Sequence, residues 1–239
     1  MAIAAAAAVS FVAWRLKALS GTGAVAATAV GGTVLGFAGL GAAIALVVFF
    51  VSSSALSALP GGGGRGTRDA RQVLANGSVV ALAAVAHRIL PIADVALLGA
   101  LGAATADTWA TEVGTRFGRR PRSILTLRPQ VPGTSGAVSL VGTVAAAGLW
   151  LVPGVGGAAV AAVAVGGFAG SLVDSVLGAG AQAVYLCPAC GTEPEVARHT
   201  GCPDHAERVS GLPGVDNDVV NWLATAAGAS VAVICYLLL

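Results

Sequence analysis

Long apolar runs rich in Gly and Ala, separated by short basic loops, leave this chain few ways to fold. A run of about 20 apolar residues crosses a bilayer core as one helix, because only a helix satisfies its own backbone in lipid. Twelve of the 13 Lys and Arg residues fall into four stretches between such runs. They are Arg15 and Lys17; Arg65, Arg68 and Arg71; Arg116, Arg119, Arg120, Arg122 and Arg128; and Arg198 and Arg208. Only Arg88 stands apart. Hydropathy places all four stretches on one side, and positive charge beside span ends marks that side as cytoplasmic.

The chain is 56% hydrophobic and 10% charged, where a soluble domain carries about 25% charged residues. Its mean hydropathy is +0.85. The net charge of +2 gives no sign of nucleic-acid binding. The basic loops suit anionic headgroups or a phosphate ligand. The expectation is one all-α membrane domain over residues 1–239, a polytopic helical bundle in the cell (plasma) membrane. Its spans read as 2–14, 21–37, 40–57, 73–90, 92–113, 134–152, 155–184 and 216–239, about seven to eight crossings in all. Outer turns are expected near Gly39–Gly41, Pro91 and Pro153–Gly154, and a Cys-containing cytoplasmic loop at 185–214. Residues 1–14 are followed by charge instead of preceded by it, the reverse of a secretory signal, and read as a first helix with its N-terminus outside. A weak internal repeat links Gly21-Thr22-Gly23-Ala24-Val25 to Gly133-Thr134-Ser135-Gly136-Ala137-Val138. Phe50–Ser54 likewise matches Phe168–Asp174 loosely, and a true repeat would set a site between the halves.

Three polar clusters interrupt the apolar pattern at the basic side. In Asp107-Thr108-Trp109-Ala110-Thr111-Glu112-Val113-Gly114, helical spacing puts Asp107 with Thr111 and Thr108 with Glu112. Two acids and two hydroxyls there suit Mg²⁺, which takes hard oxygen ligands and phosphates. The competing reading is solvated acids or an ion pair to Arg116. In the second cluster Ser171, Asp174, Ser175, Gly178 and Gln182 form one polar or small stripe, which must face protein or water. The third, Asp216-Asn217-Asp218-Val219-Val220-Asn221, opens the last span, with Asp216 as its N-cap. Asn76, after Arg71, and Gly133-Thr134-Ser135, after Arg128, look like helix starts whose free N–H groups can meet phosphate. No Lys follows these glycines, so neither is a P-loop.

Together these runs, with Gln72-Val73-Leu74-Ala75-Asn76-Gly77 and Val131-Pro132-Gly133-Thr134-Ser135-Gly136, resemble the integral-membrane family that includes transmembrane protein 19, domain-of-unknown-function family 92. The resemblance runs in order along nearly the whole chain. Members in plants and cyanobacteria are phytyl-phosphate kinases, which pass a phosphate from a nucleoside triphosphate, CTP favoured, to an isoprenyl monophosphate. The resemblance implies that class of activity here without fixing the lipid. Asp107, Glu112, Asp174 and Asp218 are then the expected catalytic set, with Mg²⁺ on Asp107, Asp174 and Asp218. Asn76, Thr108, Thr111, Arg128, Gly133, Thr134, Ser135, Ser171, Ser175, Asn217 and Asn221 would hold substrate or nucleotide. Two alternatives stay open: a CDP-lipid synthase-like cytidylyltransferase and a lipid or small-molecule transporter. Oligomeric state is left open.

Cys187-Pro188-Ala189-Cys190, followed by His199 and Cys202, has the donor set of a structural Zn²⁺ site, with His205 in reserve. A disulfide or unpaired thiols compete. Cys235, deep in the last span, reads as a small core residue, and Asp94, beside the Pro91 turn, as a solvated outer acid.

Overall fold

The computed structural model describes residues 1–60, 67–147, 157–191, 202 and 205–239. Among them run eight helices: α1 (Ala2–Arg15), α2 (Gly21–Phe37), α3 (Gly39–Ala58), α4 (Ala70–Ala86), α5 (Ala93–Phe117), α6 (Leu140–Ala147), α7 (Ala158–Gly180) and α8 (Asn217–Leu238). Two short antiparallel pairs complete the described chain: β1 (Arg122–Ser123) with β2 (Ala137–Val138), and β3 (Val184–Leu186) with β4 (Glu207–Ser210). The protein is a helical membrane bundle, and the two small hairpins are an addition to the expected all-α fold.

Helices α3, α7 and α8 are long and apolar enough to cross a bilayer. In α3 only 6% of the apolar window is buried, and Leu40, Ile44, Val48 and Val51 stand exposed. With 25 residues α5 has the length, but Asp94, Asp107, Glu112 and Arg116 interrupt its apolar character. The 14, 17 and 17 residues of α1, α2 and α4 fall short of the roughly 20 that a full crossing takes.

Bare backbone sets the centre of the bundle, where α5, α7 and α8 cross. A Cβ on Gly228 would lie 2.6 Å from Ala103 Cβ and 2.8 Å from Gly99 O; one on Gly166 would lie 2.5 Å from Gly228 O. Gly102 and Gly167 face each other across the α5–α7 contact in the same way. Small residues let membrane helices approach this closely and gain dispersion contacts that lipid does not offer. A second core of Val30, Val34, Val80, Leu97 and Ala100 ties α2 and α4 to α5. Cys235 packs at the edge of a third cluster around Val95, Val163 and Ala232.

The described basic residues other than Arg88 gather at one end. Ser20 N donates to Arg68 O at 2.9 Å, and Arg68 N donates to Ala18 O at 3.1 Å. Arg116 Nη2 donates to Leu59 O at 2.7 Å, and Arg71 pairs with Asp216. Arg88 lies at the opposite end, donating to Gly36 O at 3.1 Å near the α2–α3 turn, where Gly39 has φ +85°. There Asp94, half exposed as expected of an outer acid, has its Oδ1 2.7 Å from His87 Nδ1. Arg65, Arg198 and the Pro153–Gly154 turn lie outside the described residues.

One span begins later than expected. Residues 133–136 form a turn with Gly133 at φ +89° and Gly136 at φ +72°, then β2, and α6 starts only at Leu140. A helix cannot pass through two left-handed glycines, so Gly133, Thr134 and Ser135 are not a helix N-terminus. The matching segment at 21–25 is helical, opened by Ser20 as its cap, so the two halves of the repeat differ there.

Gly228→Val should lower stability by about 1–3 kcal/mol by forcing the central helices apart. Gly41→Ala, which meets open space, should not. Thermal unfolding in detergent reads both; an unchanged Tm for Gly228→Val would remove the close crossing as the bundle's organising contact.

Candidate functional site

Two cavities open at the basic end of α5. The larger, about 420 Å³, has apolar walls from α1–α3, including Val9, Val30, Leu35, Ile44, Val47 and Phe50. Its polar end carries Arg68, Gln72, Asn76, Thr108, Glu112 and Asn221. The smaller, about 100 Å³, lies between α5, the 132–139 turn and α7. Thr134, Ser135, Ser171, Asp174, Ser175 and Gln182 give it a mostly polar wall. Asp107, Thr111 and Asn217 border both.

Helical periodicity explains this division. Asp107 and Thr111, one turn apart, face both cavities, while Thr108 and Glu112, on the next stripe, face only the larger. On α7 the same spacing aligns Ser171, Asp174, Ser175 and Gly178 along the smaller cavity. A carboxylate oxygen of Asp174 is buried there. The turn is pressed against this stripe. A Cβ on Gly136 would lie 2.6 Å from Ser175 O, and one on Gly178 3.1 Å from Gly136 N.

Glu112 has fixed partners. It accepts from Ser57 Oγ at 2.6 Å and from Arg116 Nη1 at 2.8 Å, with the Arg116 and Glu112 side chains only 5% and 7% exposed. The ion pair to Arg116 is therefore real, and it belongs to Glu112. In the third cluster Asp216 accepts from Val219 N at 3.0 Å, the expected cap, and also pairs with Arg71. Arg71 Nε stands 3.5 Å from Asp218 Oδ2. Asp218 lines neither cavity, and neither does the exposed Arg128. The other thirteen expected site residues, Asn76, Asp107, Thr108, Thr111, Glu112, Gly133, Thr134, Ser135, Ser171, Asp174, Ser175, Asn217 and Asn221, line one cavity or both.

Arg68 escaped the sequence reading, which took it only as a loop charge. It lines the larger cavity, donates to Ser54 Oγ at 2.9 Å and lies 5.7 Å over the Phe50 ring. The missed signal is the Asp69–Gln72 capping box, which starts α4 at Ala70 and holds Arg68 at the cavity's foot. The donor set fits Mg²⁺ as well: Asp107 and Asp174 with Thr111, Ser171 and Ser175 surround one small polar space with hard oxygen atoms. Elsewhere, Cys187, Cys190 and Cys202 come together, while His199 lies outside the described residues.

Removing one partner of the buried pair exposes the other uncompensated. Glu112→Ala should cost about 3–5 kcal/mol, and Glu112→Leu combined with Arg116→Leu should restore much of that. Chemical or thermal unfolding of the two variants checks it; equal losses would deny the coupling.

Residues 4–229 match the family described as "Integral membrane protein DUF92". The chain is 29% identical to Protein PGR of Arabidopsis thaliana over 147 residues, 54% of this chain and 49% of that protein. It is 34% identical to an uncharacterized membrane protein of Methanocaldococcus jannaschii over 124 residues, 47% of this chain and 50% of that one. The alignments thus span about half the length of these curated relatives. No solved structure matches. The chain belongs to the DUF92 family of integral membrane proteins.

Proposed function

We propose that this membrane protein is a prenyl-phosphate kinase, moving a phosphate from a nucleoside triphosphate, CTP favoured, to an isoprenyl monophosphate. One observation carries the reading: an apolar cavity with a polar end meets a small polar cavity at Asp107. The first suits a lipid with a long tail and a phosphate head. The second suits the triphosphate of a nucleotide. The resemblance to the phytyl-phosphate kinases agrees with that pairing.

Phosphoryl transfer asks a protein mainly for positioning and charge neutralisation. The tail would lie along Val30, Leu35, Ile44 and Val47, with Arg68, Gln72 and Asn76 around the head phosphate. An oxygen of that phosphate attacks the γ-phosphorus, the bond to the β-phosphate oxygen breaks, and the nucleoside diphosphate leaves. The acceptor is already an anion, so no strong base is required. Thr134, Ser135 and Gly136 would cradle the donor phosphates through hydroxyl and backbone N–H groups, and Asp107 and Asp174 would hold Mg²⁺. Bound there, Mg²⁺ would offset the charge that builds on the transferring group. Asp218, paired with Arg71, serves this scheme by fixing the start of α8, and Glu112 by fixing α5 against α3.

Asp107→Asn or Asp174→Asn keeps the shape and removes a charge. Turnover should fall by orders of magnitude, since a lost metal ligand can cost several kcal/mol of transition-state stabilisation. Purified protein with Mg²⁺, labelled CTP and a set of prenyl monophosphates gives the measurement. CDP and a prenyl diphosphate are the expected products; release of diphosphate would make the protein a cytidylyltransferase instead. Normal turnover in both variants would move the site elsewhere.

The basic end should face the cytoplasm. Arg119→Cys, at an exposed position, should react with an impermeant maleimide in inverted vesicles and not in right-side-out ones. The opposite pattern would reverse the orientation and the side on which nucleotide enters.

A further inference from the structure

The loop between α7 and α8 holds a thiol cluster with no part in phosphoryl transfer. Cys187, Cys190 and Cys202 offer sulfur atoms that all lie within 4.8 Å of one another. Cys187 Sγ stands 3.7 Å from Cys202 Sγ, and Cys187 is fully buried. Four ligands at about 2.3 Å around tetrahedral zinc put neighbouring sulfurs about 3.8 Å apart. A disulfide would need about 2.05 Å. The turn geometry agrees: Cys187-Pro188-Ala189-Cys190 closes with Gly191 N donating to Cys187 O at 2.8 Å, and Gly191 has φ +67°. A residue with a Cβ adopts that angle at a cost, so glycine ends the knuckle.

We infer that Cys187, Cys190 and Cys202 supply three of the four ligands of one structural Zn²⁺. The surrounding fold needs such a tie. β3 and β4 are three and four residues long, and all four residues of β4 are exposed. A lone two-stranded hairpin of this kind is marginal in water, and metal binding supplies folding free energy directly. The hairpin is also the joint between α7 and α8, two of the helices that carry candidate site residues. Leu212 N donates to Ala181 O at 2.8 Å, and Ala183 N donates to Val215 O at 2.7 Å. Gln182, between them, lines the smaller cavity, and Asp216 then caps α8 so that Asn217 borders both cavities. The zinc holds this joint closed. It touches no substrate, and the inference stands whether or not the protein is a kinase.

The full chain, purified in detergent without chelator, should carry about one equivalent of zinc by elemental analysis. Cys187→Ser and Cys202→Ser should lose most of it, while Cys235→Ser, far along α8, should keep it. Exchange with Co²⁺ in the unaltered protein should give intense thiolate-to-cobalt charge-transfer bands, a readout independent of whether the serine variants fold. Chelation should lower Tm in the unaltered protein and leave Cys187→Ser unaffected. Zinc-free protein with freely reactive thiols, or a Cys187–Cys202 disulfide in peptide mapping, would overturn the site. So would full zinc retention in Cys187→Ser.

Discussion

The close crossing of α5, α7 and α8 is the contact on which the rest depends. Gly99, Gly102, Gly166, Gly167, Gly170 and Gly228 bring three backbones together where side chains would hold them apart. Lipid tails are as apolar as leucine, so nothing squeezes these helices together as water does in a soluble core. Close approach and its dispersion contacts take that role. Because the helices are locked at this depth, Asp107 on α5, Asp174 on α7 and Asn217 on α8 arrive at the same polar end.

That end is costly to build. Carboxylates and guanidinium groups at the edge of a membrane must be paired, hydrated or bound to something. Glu112 is matched by Arg116 and Ser57, and Asp216 by Arg71 and its own helix start. These pairs are mechanical: they tie α5 to α3 and α8 to α4. Asp107 and Asp174 line the cavities, as Glu112 also does on its side of the larger one.

The two cavities differ in polarity. The larger is apolar along most of its length because the residues that α1, α2 and α3 turn toward it are mostly Ala, Val, Leu, Ile and Phe. The smaller is polar because a turn rich in Gly, Ser and Thr faces a Ser/Asp stripe. On the proposed function, a lipid phosphate would occupy the first and a nucleotide triphosphate the second.

Hydropathy and charge in the sequence determined the helical membrane class, the gathering of the basic loops and many of the polar residues that line the two cavities. These follow from local rules: apolar length, charge beside span ends, and spacing of one helical turn along α5 and α7. The turn at 133–136 was not legible as a turn, because Gly-Thr-Ser-Gly reads equally as a helix start; contact with Ser175 and Ala179 decides it. The Glu112–Arg116 pair follows from spacing along one helix, but the partners that Glu112 and Asp218 meet on other helices were not legible. Only the packing of α5 against α3 and of α4 against α8 brings Ser57 and Arg71 to them. Arg68 joins the cavity for the same reason: its position depends on the 18–20 segment hydrogen-bonding to it across a long stretch of chain. Spacing along one helix is written in the sequence, whereas the partner a charge meets is set by which helices touch.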